Sequence, residues 1–230
     1  MPLEPRIFLL AAALVALAGS AAFFAEWQRN RTADALAWWS GGLASAATGL
    51  TLFAVGGDEV DSVARMFGNY ANLGAAGALL CAARRLHGLS ANLLALVAGP
   101  IIWLGVSAKL GSDFSGRVIV IAILQAGYAI TTGIVMWRGG RLRAPEYRLV
   151  AILMFVVGGL QIVRAVAGRS LVGQPIDPGL NGQWVIPTAV VAGCYAAALA
   201  VLVLRGFRKA GQLPDSDRRS VAGSRSRQLP

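Results

Sequence analysis

The sequence of 230 residues contains little charge, since only 14% of the residues are Asp, Glu, Lys or Arg. Soluble domains carry about 25% charged residues, and their apolar residues recur with a period of 2 or 3.6. Here 56% of the residues are hydrophobic, and they form long blocks. Because blocks of about 18 or more apolar residues indicate bilayer-spanning helices, this scarcity of charge excludes a soluble domain and predicts an integral membrane protein.

Residue types that usually carry catalysis or bind metals are also scarce. The single histidine, His87, excludes a metal site built on two histidines, and neither a GxSxG elbow nor a P-loop occurs. The two cysteines, Cys81 and Cys194, fall inside apolar blocks and are interpreted as small buried hydrophobes, not as a disulfide framework. We therefore predict a protein that is not an enzyme and that uses no cofactor and no metal.

Seven apolar blocks, separated by charged or turn-forming residues, each reach the roughly 17 to 25 residues that cross a bilayer. The predicted fold is an all-α bundle of seven transmembrane helices over residues 1–205, followed by a basic, disordered tail over 206–230. Pro100 predicts a kink in the fourth block. The blocks are Ile7–Phe24, Ala35–Val55, Met66–Ala83, Ala91–Ala108, Val118–Trp137, Leu149–Ala167 and Trp184–Leu204.

The first block has two interpretations. The small residues Ala18–Ala22 resemble a signal-peptide cleavage site, whereas Arg29 and Arg31 after the block are typical of the cytoplasmic flank of a retained helix. We expect the retained helix.

The basic residues indicate topology rather than nucleic-acid binding, although the net charge is +10. With seven spans, 15 Lys and Arg fall on the side that includes the C-terminal tail, and 6 fall on or near the other side. Cytoplasmic loops carry the excess of bases. We therefore predict an external N-terminus and a cytoplasmic C-terminus.

Six polar residues inside the blocks are the candidate binding site. They form three pairs spaced three apart, so each pair shares one helix face, and the predicted topology places all of them between the membrane centre and its outer surface. Convergence of these faces predicts an externally open pocket for a small or lipid-like ligand. The residues are Asn69, Asn72, Gln125, Tyr128, Gln161 and Arg164.

A structural role is the alternative for these residues. Asn and Gln side chains join neighbouring membrane helices by hydrogen bonds worth about 1 kcal/mol, and Arg164 lies close enough to the end of its block to reach the headgroups. Small residues such as Ser45 and Gly49 predict close helix packing within the bundle first and dimerisation second. Tryptophans near block ends, among them Trp39 and Trp137, predict anchoring at the membrane interface.

The middle of the chain resembles the multi-helix membrane sensor region at the N-terminus of bacterial diguanylate cyclases. The resemblance lies in the Trp- and Gly-rich segment 37–50, in the Asn-bearing segment 68–80 with the basic exit 83–88, and in the sixth block, which ends in Gln161-Ile-Val-Arg164-Ala. It extends over about residues 7–205, and Asn72 and Arg164 match a recurrent Asn and Arg of that family.

The resemblance implies an input module that senses an external or membrane-borne cue and transmits it, often as a dimer, to a cytoplasmic output domain. This sequence departs from the family because a basic tail stands where that domain would begin, so we expect no cyclase activity. The string Gly56–Val60 nearly spells the cyclase signature, but no strand and helix pattern surrounds it and we interpret it as coincidence.

The sequence thus predicts a non-enzymatic sensory protein that signals to a cytoplasmic partner. Its bases would contact anionic lipid or that partner. The resemblance implies a location in the bacterial inner membrane. The alternative predictions are a small transporter or permease subunit and an inert packing subunit.

Overall fold

The computed structural model describes residues 3–56, 63–110, 114–140, 145–170 and 178–211. These residues form seven α-helices and no strand. Each helix contains most or all of one apolar block, so the all-α prediction is confirmed for this part of the chain. The helices are α1 Leu3–Arg29, α2 Asp34–Val55, α3 Val63–Leu86, α4 Leu93–Leu110, α5 Phe114–Gly140, α6 Pro145–Ser170 and α7 Pro178–Gly211.

Five helices, α1, α4, α5, α6 and α7, are long and apolar enough to cross a membrane. At about 1.5 Å per residue even α4, with 18 residues, extends about 27 Å. The other two helices, α2 and α3, are not among these five candidate spans. Helix α2 carries Gly, Ser and Thr, and α3 carries Arg and Asn. These two helices pack against each other.

Apolar side chains cover the outer surface of the bundle. Leu14 on α1, Leu94 on α4 and Val163 on α6 expose 67%, 70% and 60% of their surface. Monomeric soluble proteins rarely expose contiguous apolar patches larger than a few hundred Å², whereas the hydrocarbon of a bilayer covers such a surface at no cost. Composition and surface together define a helical membrane protein.

Six helices form a closed circuit of neighbours. Contacts join α1 to α2, α2 to α3, α3 to α5, α5 to α6, α6 to α7 and α7 back to α1. Helix α4 lies outside this circuit and packs against α3 and α5. The main core joins the six helices of the circuit around side chains such as Leu36, Trp39 and Leu199, all of which have 0% exposure.

Glycines bring the backbones of α2 and α3 into close contact. A Cβ atom on Gly49 would lie 2.9 Å from the carbonyl oxygen of Gly68, and one on Gly68 would lie 3.2 Å from the carbonyl oxygen of Gly49. Beside this crossing the Ser45 hydroxyl donates to the Ala71 carbonyl at 2.8 Å. The prediction that Ser45 and Gly49 serve packing within the bundle is confirmed.

Two buried serines join α1 to α2 by reciprocal hydrogen bonds. The Ser20 hydroxyl lies 2.9 Å from the Ser40 carbonyl oxygen, and the Ser40 hydroxyl lies 3.0 Å from the Ser20 carbonyl oxygen. One turn away, Trp39 stacks on Phe23 with ring centroids 6.0 Å apart. The predicted interfacial role of Trp39 is wrong, because this indole is fully buried in the core. Trp137, in contrast, is 37% exposed.

Ion pairs and compact turns tie the helices together at one end of the bundle, which we call the basic end. The Arg208 guanidinium on α7 lies 3.1 Å from the Glu26 carboxylate on α1, and Arg85 on α3 pairs with Asp34 on α2. The side chains of Tyr147 and His87, on α6 and after α3, meet at the same end. It carries the arginines Arg29, Arg31, Arg84, Arg85, Arg138, Arg148, Arg205 and Arg208.

The turn between α3 and α4 contains a glycine with positive φ. Gly88 has φ 73°, a conformation that glycine adopts without strain. Its N–H donates to the Arg85 carbonyl and that of Leu89 donates to the Arg84 carbonyl, which is a Schellman cap. The Asn92 side chain then accepts from the N–H of Leu94 at 3.1 Å and so caps α4.

The tail is predicted to begin at residue 206, and helix α7 continues to Gly211. Arginine favours helix, and Arg208 is held by Glu26. The remainder of the predicted tail, 212–230, and most of the 56–60 string lie outside the described residues. Helix α4 continues through Pro100.

We expect Gly77→Ala to destabilise the bundle by about 1 to 3 kcal/mol, the usual cost of overpacking. The added Cβ would lie 2.7 Å from both the Ala95 carbonyl oxygen and the Leu96 Cα, and only a shift of α4 relieves that contact. The control is Gly74→Ala on the same helix, whose nearest neighbour would be the Ser45 hydroxyl at 3.9 Å. Unfolding in mixed micelles measures both variants, and equal stability of the two would contradict the expectation.

Candidate functional site

Helix registers place five polar or amphipathic side chains at similar depths in neighbouring helix pairs. Ile130 faces Gly158 and Gly133 faces Phe155, so continuation of this antiparallel register places Gln125 between the levels of Gln161 and Arg164. The contacts of Gly77 with Leu96 and of Cys81 with Asn92 set the register of α3 and α4. That register places Tyr70 level with Trp103. We call Tyr70, Trp103, Gln125, Gln161 and Arg164 the polar layer.

Two members of the polar layer, Tyr70 and Trp103, meet where α3, α4 and α5 join, and a third, Gln125, lies about one turn from them on α5. Tyr70 packs against a cluster of Leu73, Trp103 and Ile121, and Gln125 follows Ile121 by one turn on the same face of α5. The Tyr70 hydroxyl, the Trp103 Nε1 and the Gln125 Oε1 atoms are buried and have no hydrogen-bond partner among the residues that the structure describes. The indole N–H is a donor, the amide oxygen is an acceptor, and the phenol hydroxyl can donate and accept.

The other two members lie on α6. Val150, Met154, Gln161 and Arg164 fall on one stripe with spacings of three and four, and Val150 and Met154 are buried in the core. The stripe therefore directs Gln161 and Arg164 towards the interior, where both are partly buried. Among the described residues Arg164 makes no hydrogen bond or ion pair, and the Gln161 Oε1 atom is buried without a partner.

The remaining predicted site residues face other helices. Asn72 is directed at α2, because a Cβ on Gly49 would lie 2.7 Å from its Nδ2 atom. Asn69 is partly buried on α3, next to Tyr70. Tyr128 is directed at α4. The six residues predicted from the sequence thus divide among the α2 and α3 contact, the junction of α3, α4 and α5, and the inward stripe of α6.

Tyr128 inserts its hydroxyl into the hydrogen-bond ladder of α4. The hydroxyl donates to the Ala95 carbonyl at 2.6 Å and accepts from the Gly99 N–H at 2.8 Å, and these two groups would otherwise bond each other within the helix. The absence of a side chain at Gly99 makes room, since a Cβ there would lie 2.8 Å from the tyrosine ring. The insertion precedes Pro100, where the ladder is already interrupted.

Sequence reasoning missed Tyr70 and Trp103. Trp103 lies in the middle of its block and is 2% exposed, whereas the tryptophans that were assigned to anchoring lie near block ends. An indole N–H far from the interface needs a partner inside the membrane, and this was the available signal. Tyr70 stands between the predicted pair Asn69 and Asn72.

The polar layer offers hydrogen-bond donors and acceptors and one guanidinium to a polar ligand. Among the described side chains no three His, Cys, Asp or Glu lie together as metal ligands would. The class of protein defined by fold and surface is a polytopic helical membrane protein. No family model matches the chain, and no curated protein or solved structure matches it significantly.

We expect Tyr128→Phe to destabilise the protein by about 1 kcal/mol, because the Ala95 carbonyl and the Gly99 N–H lose a buried partner. Hydrogen exchange of α4 amides near Gly99 should accelerate. The matched control is Tyr195→Phe, because the Tyr195 hydroxyl donates only to the Met154 sulfur, a weak acceptor. If α4 exchange is unchanged in Tyr128→Phe, the hydroxyl does not support the helix.

Proposed function

We propose that all seven helices cross a bacterial inner membrane, with the N-terminus outside and the C-terminus in the cytoplasm. The basic end supports this orientation, since it gathers eight arginines and the positive-inside rule assigns such an end to the cytoplasm. Helices α2 and α3 are not among the five candidate spans, but their polar and small residues pack against each other, so they can cross beside apolar neighbours.

The orientation predicts opposite labelling at the two ends of α4. In a variant without native cysteines, Ser90→Cys should be protected from a membrane-impermeant maleimide in spheroplasts, and Lys109→Cys should react. Both residues are exposed in the structure, so burial does not account for protection. Reaction of both cysteines after membrane disruption is the control, and the reversed pattern would contradict the proposed orientation.

We infer that the protein is a non-enzymatic signal-input protein that binds a small or lipid-like cue in the outer half of the membrane. The observation that carries this proposal is Arg164, an arginine on the inward stripe of α6 with no partner among the described residues. Ionisable residues inside membrane spans are costly and usually functional. Because a guanidinium pairs with carboxylate or phosphate, the cue should carry an acidic group.

The packing of α6 against α7 couples the polar layer to the basic end. Helix α6 carries Gln161 and Arg164 at one end and Tyr147 at the other, and a Cβ on Gly206 of α7 would lie 2.8 Å from the Tyr147 ring. A ligand that moves the outer half of α6 would therefore also move α7 near Arg208 and Glu26. A cytoplasmic partner or a second copy of the chain would read that movement, in line with the resemblance to cyclase sensor regions.

We expect an acidic component of a native membrane or periplasmic extract to stabilise the wild type and not Arg164→Ala. A ligand at a hundredfold excess over Kd adds about 2.7 kcal/mol to the free energy of unfolding. Thermal unfolding with fractionated extract measures the effect. The control is Lys109→Ala, which removes an exposed base on α4 and should respond as the wild type does.

Two results would refute the proposal. One is an equal response of wild type and Arg164→Ala to every fraction. The other is substrate flux in proteoliposomes that contain only this protein, which would show a transporter.

A further inference from the structure

A groove runs along the outer surface of α5 and α6 near the basic end. It has a volume of about 380 Å³ and is lined by Ile134, Trp137, Arg138, Ile152 and Phe155. Its floor depends on Gly133, because a Cβ on that residue would lie 2.8 Å from the Phe155 ring. The ring can therefore lie against the backbone of α5 and leave a depression between the two helices.

The lining changes from charged to apolar along the helix axis. Arg138 lies near the end of α5, Trp137 precedes it, and Ile134 lies about one turn deeper. Across the groove Ile152 and Phe155 provide an apolar wall, and both side chains are partly exposed, at 48% and 37%. This order matches the depth profile of a phospholipid, in which a charged headgroup and an interfacial region precede an acyl chain.

Positive charge concentrates at the headgroup end of the groove. Arg138 is exposed, and Arg148 lies one turn before Ile152 on the same face of α6 and is also exposed. Neither arginine has an ion pair among the described residues. A zwitterionic headgroup carries its own cation beside the phosphate and is neutral overall, whereas an anionic lipid brings the net negative charge that would compensate the two arginines.

We propose that this groove is a binding site for one anionic phospholipid of the leaflet at the basic end. Its acyl chain lies against Ile134, Ile152 and Phe155, and its phosphate pairs with Arg138. The site is independent of the ligand proposed for Arg164, which belongs to the opposite half of the bundle. An occupant from the bilayer fits because the groove opens sideways into hydrocarbon, where a soluble anion does not enter.

The test measures binding of phosphatidylglycerol and phosphatidylcholine to the protein by native mass spectrometry and by lipid titration in mixed micelles. The wild type should prefer phosphatidylglycerol, and Arg138→Gln should weaken that lipid about fivefold while the binding of phosphatidylcholine is unchanged. Ile152→Trp, which fills the groove, should weaken both lipids. Soluble glycerol phosphate should not compete.

Matched controls separate this site from general attraction of lipid to the protein. Arg205→Gln removes an exposed base of the same end from α7, which contributes nothing to the groove, and Ile123→Trp enlarges a side chain that is 57% exposed elsewhere on α5. Both should bind lipid as the wild type does. An equal loss in Arg205→Gln and Arg138→Gln overturns the proposal, as does a change of oligomeric state in Ile152→Trp with unchanged lipid binding.

A photoactivatable phosphatidylglycerol on the wild type provides a measurement that needs no variant. Crosslinks should map to the segments 134–138 and 152–155. Crosslinks confined to other helices would overturn the site.

Discussion

Close approach of two helix backbones at Gly49 and Gly68 is the constraint on which the bundle depends. Hydrocarbon surrounds the chain, so apolar side chains gain nothing by leaving lipid for the core, and association must come from packing and hydrogen bonds. The crossing lets each glycine meet the carbonyl of the other helix, and it places Ser45 within reach of Ala71. The close approach of the two backbones thus allows the Ser45 hydroxyl to form its hydrogen bond with the Ala71 carbonyl.

The position of each helix along the chain could be predicted from the amino-acid sequence. Which helices pack against one another could not. Block lengths follow from bilayer thickness, so the seven helices and the depth of Gln125, Gln161 and Arg164 along them follow from residue number. The direction in which a side chain points around its helix needs an amphipathic pattern, which weakens when lipid is as apolar as the core. For that reason Trp39 was assigned to the interface, although it stacks on Phe23 in the core.

The polar side chains inside the helices fall into two groups, which differ in whether they have hydrogen-bond partners. Tyr128 stabilises α4, because its hydroxyl forms hydrogen bonds with the Ala95 carbonyl and the Gly99 N–H beside Pro100. The Gln161 Oε1 atom and the Arg164 guanidinium have no hydrogen-bond partner among the described residues. Both kinds lie inside apolar helices, so only the geometry of the neighbouring helices separates a polar group that has partners among the described residues from one that has none.

The parallel contact between α1 and α7 bears on how the chain assembles in the membrane. Gly19 packs against Ala196 and Ala200, and Gly193 packs against Ala12, so the first and the seventh helix share one face of small residues. During synthesis α1 enters the membrane long before α7, and this narrow face meets only lipid until α7 arrives. The circuit of helices closes only when α7 packs against both α6 and α1. Helix α7 is therefore the element that completes the bundle.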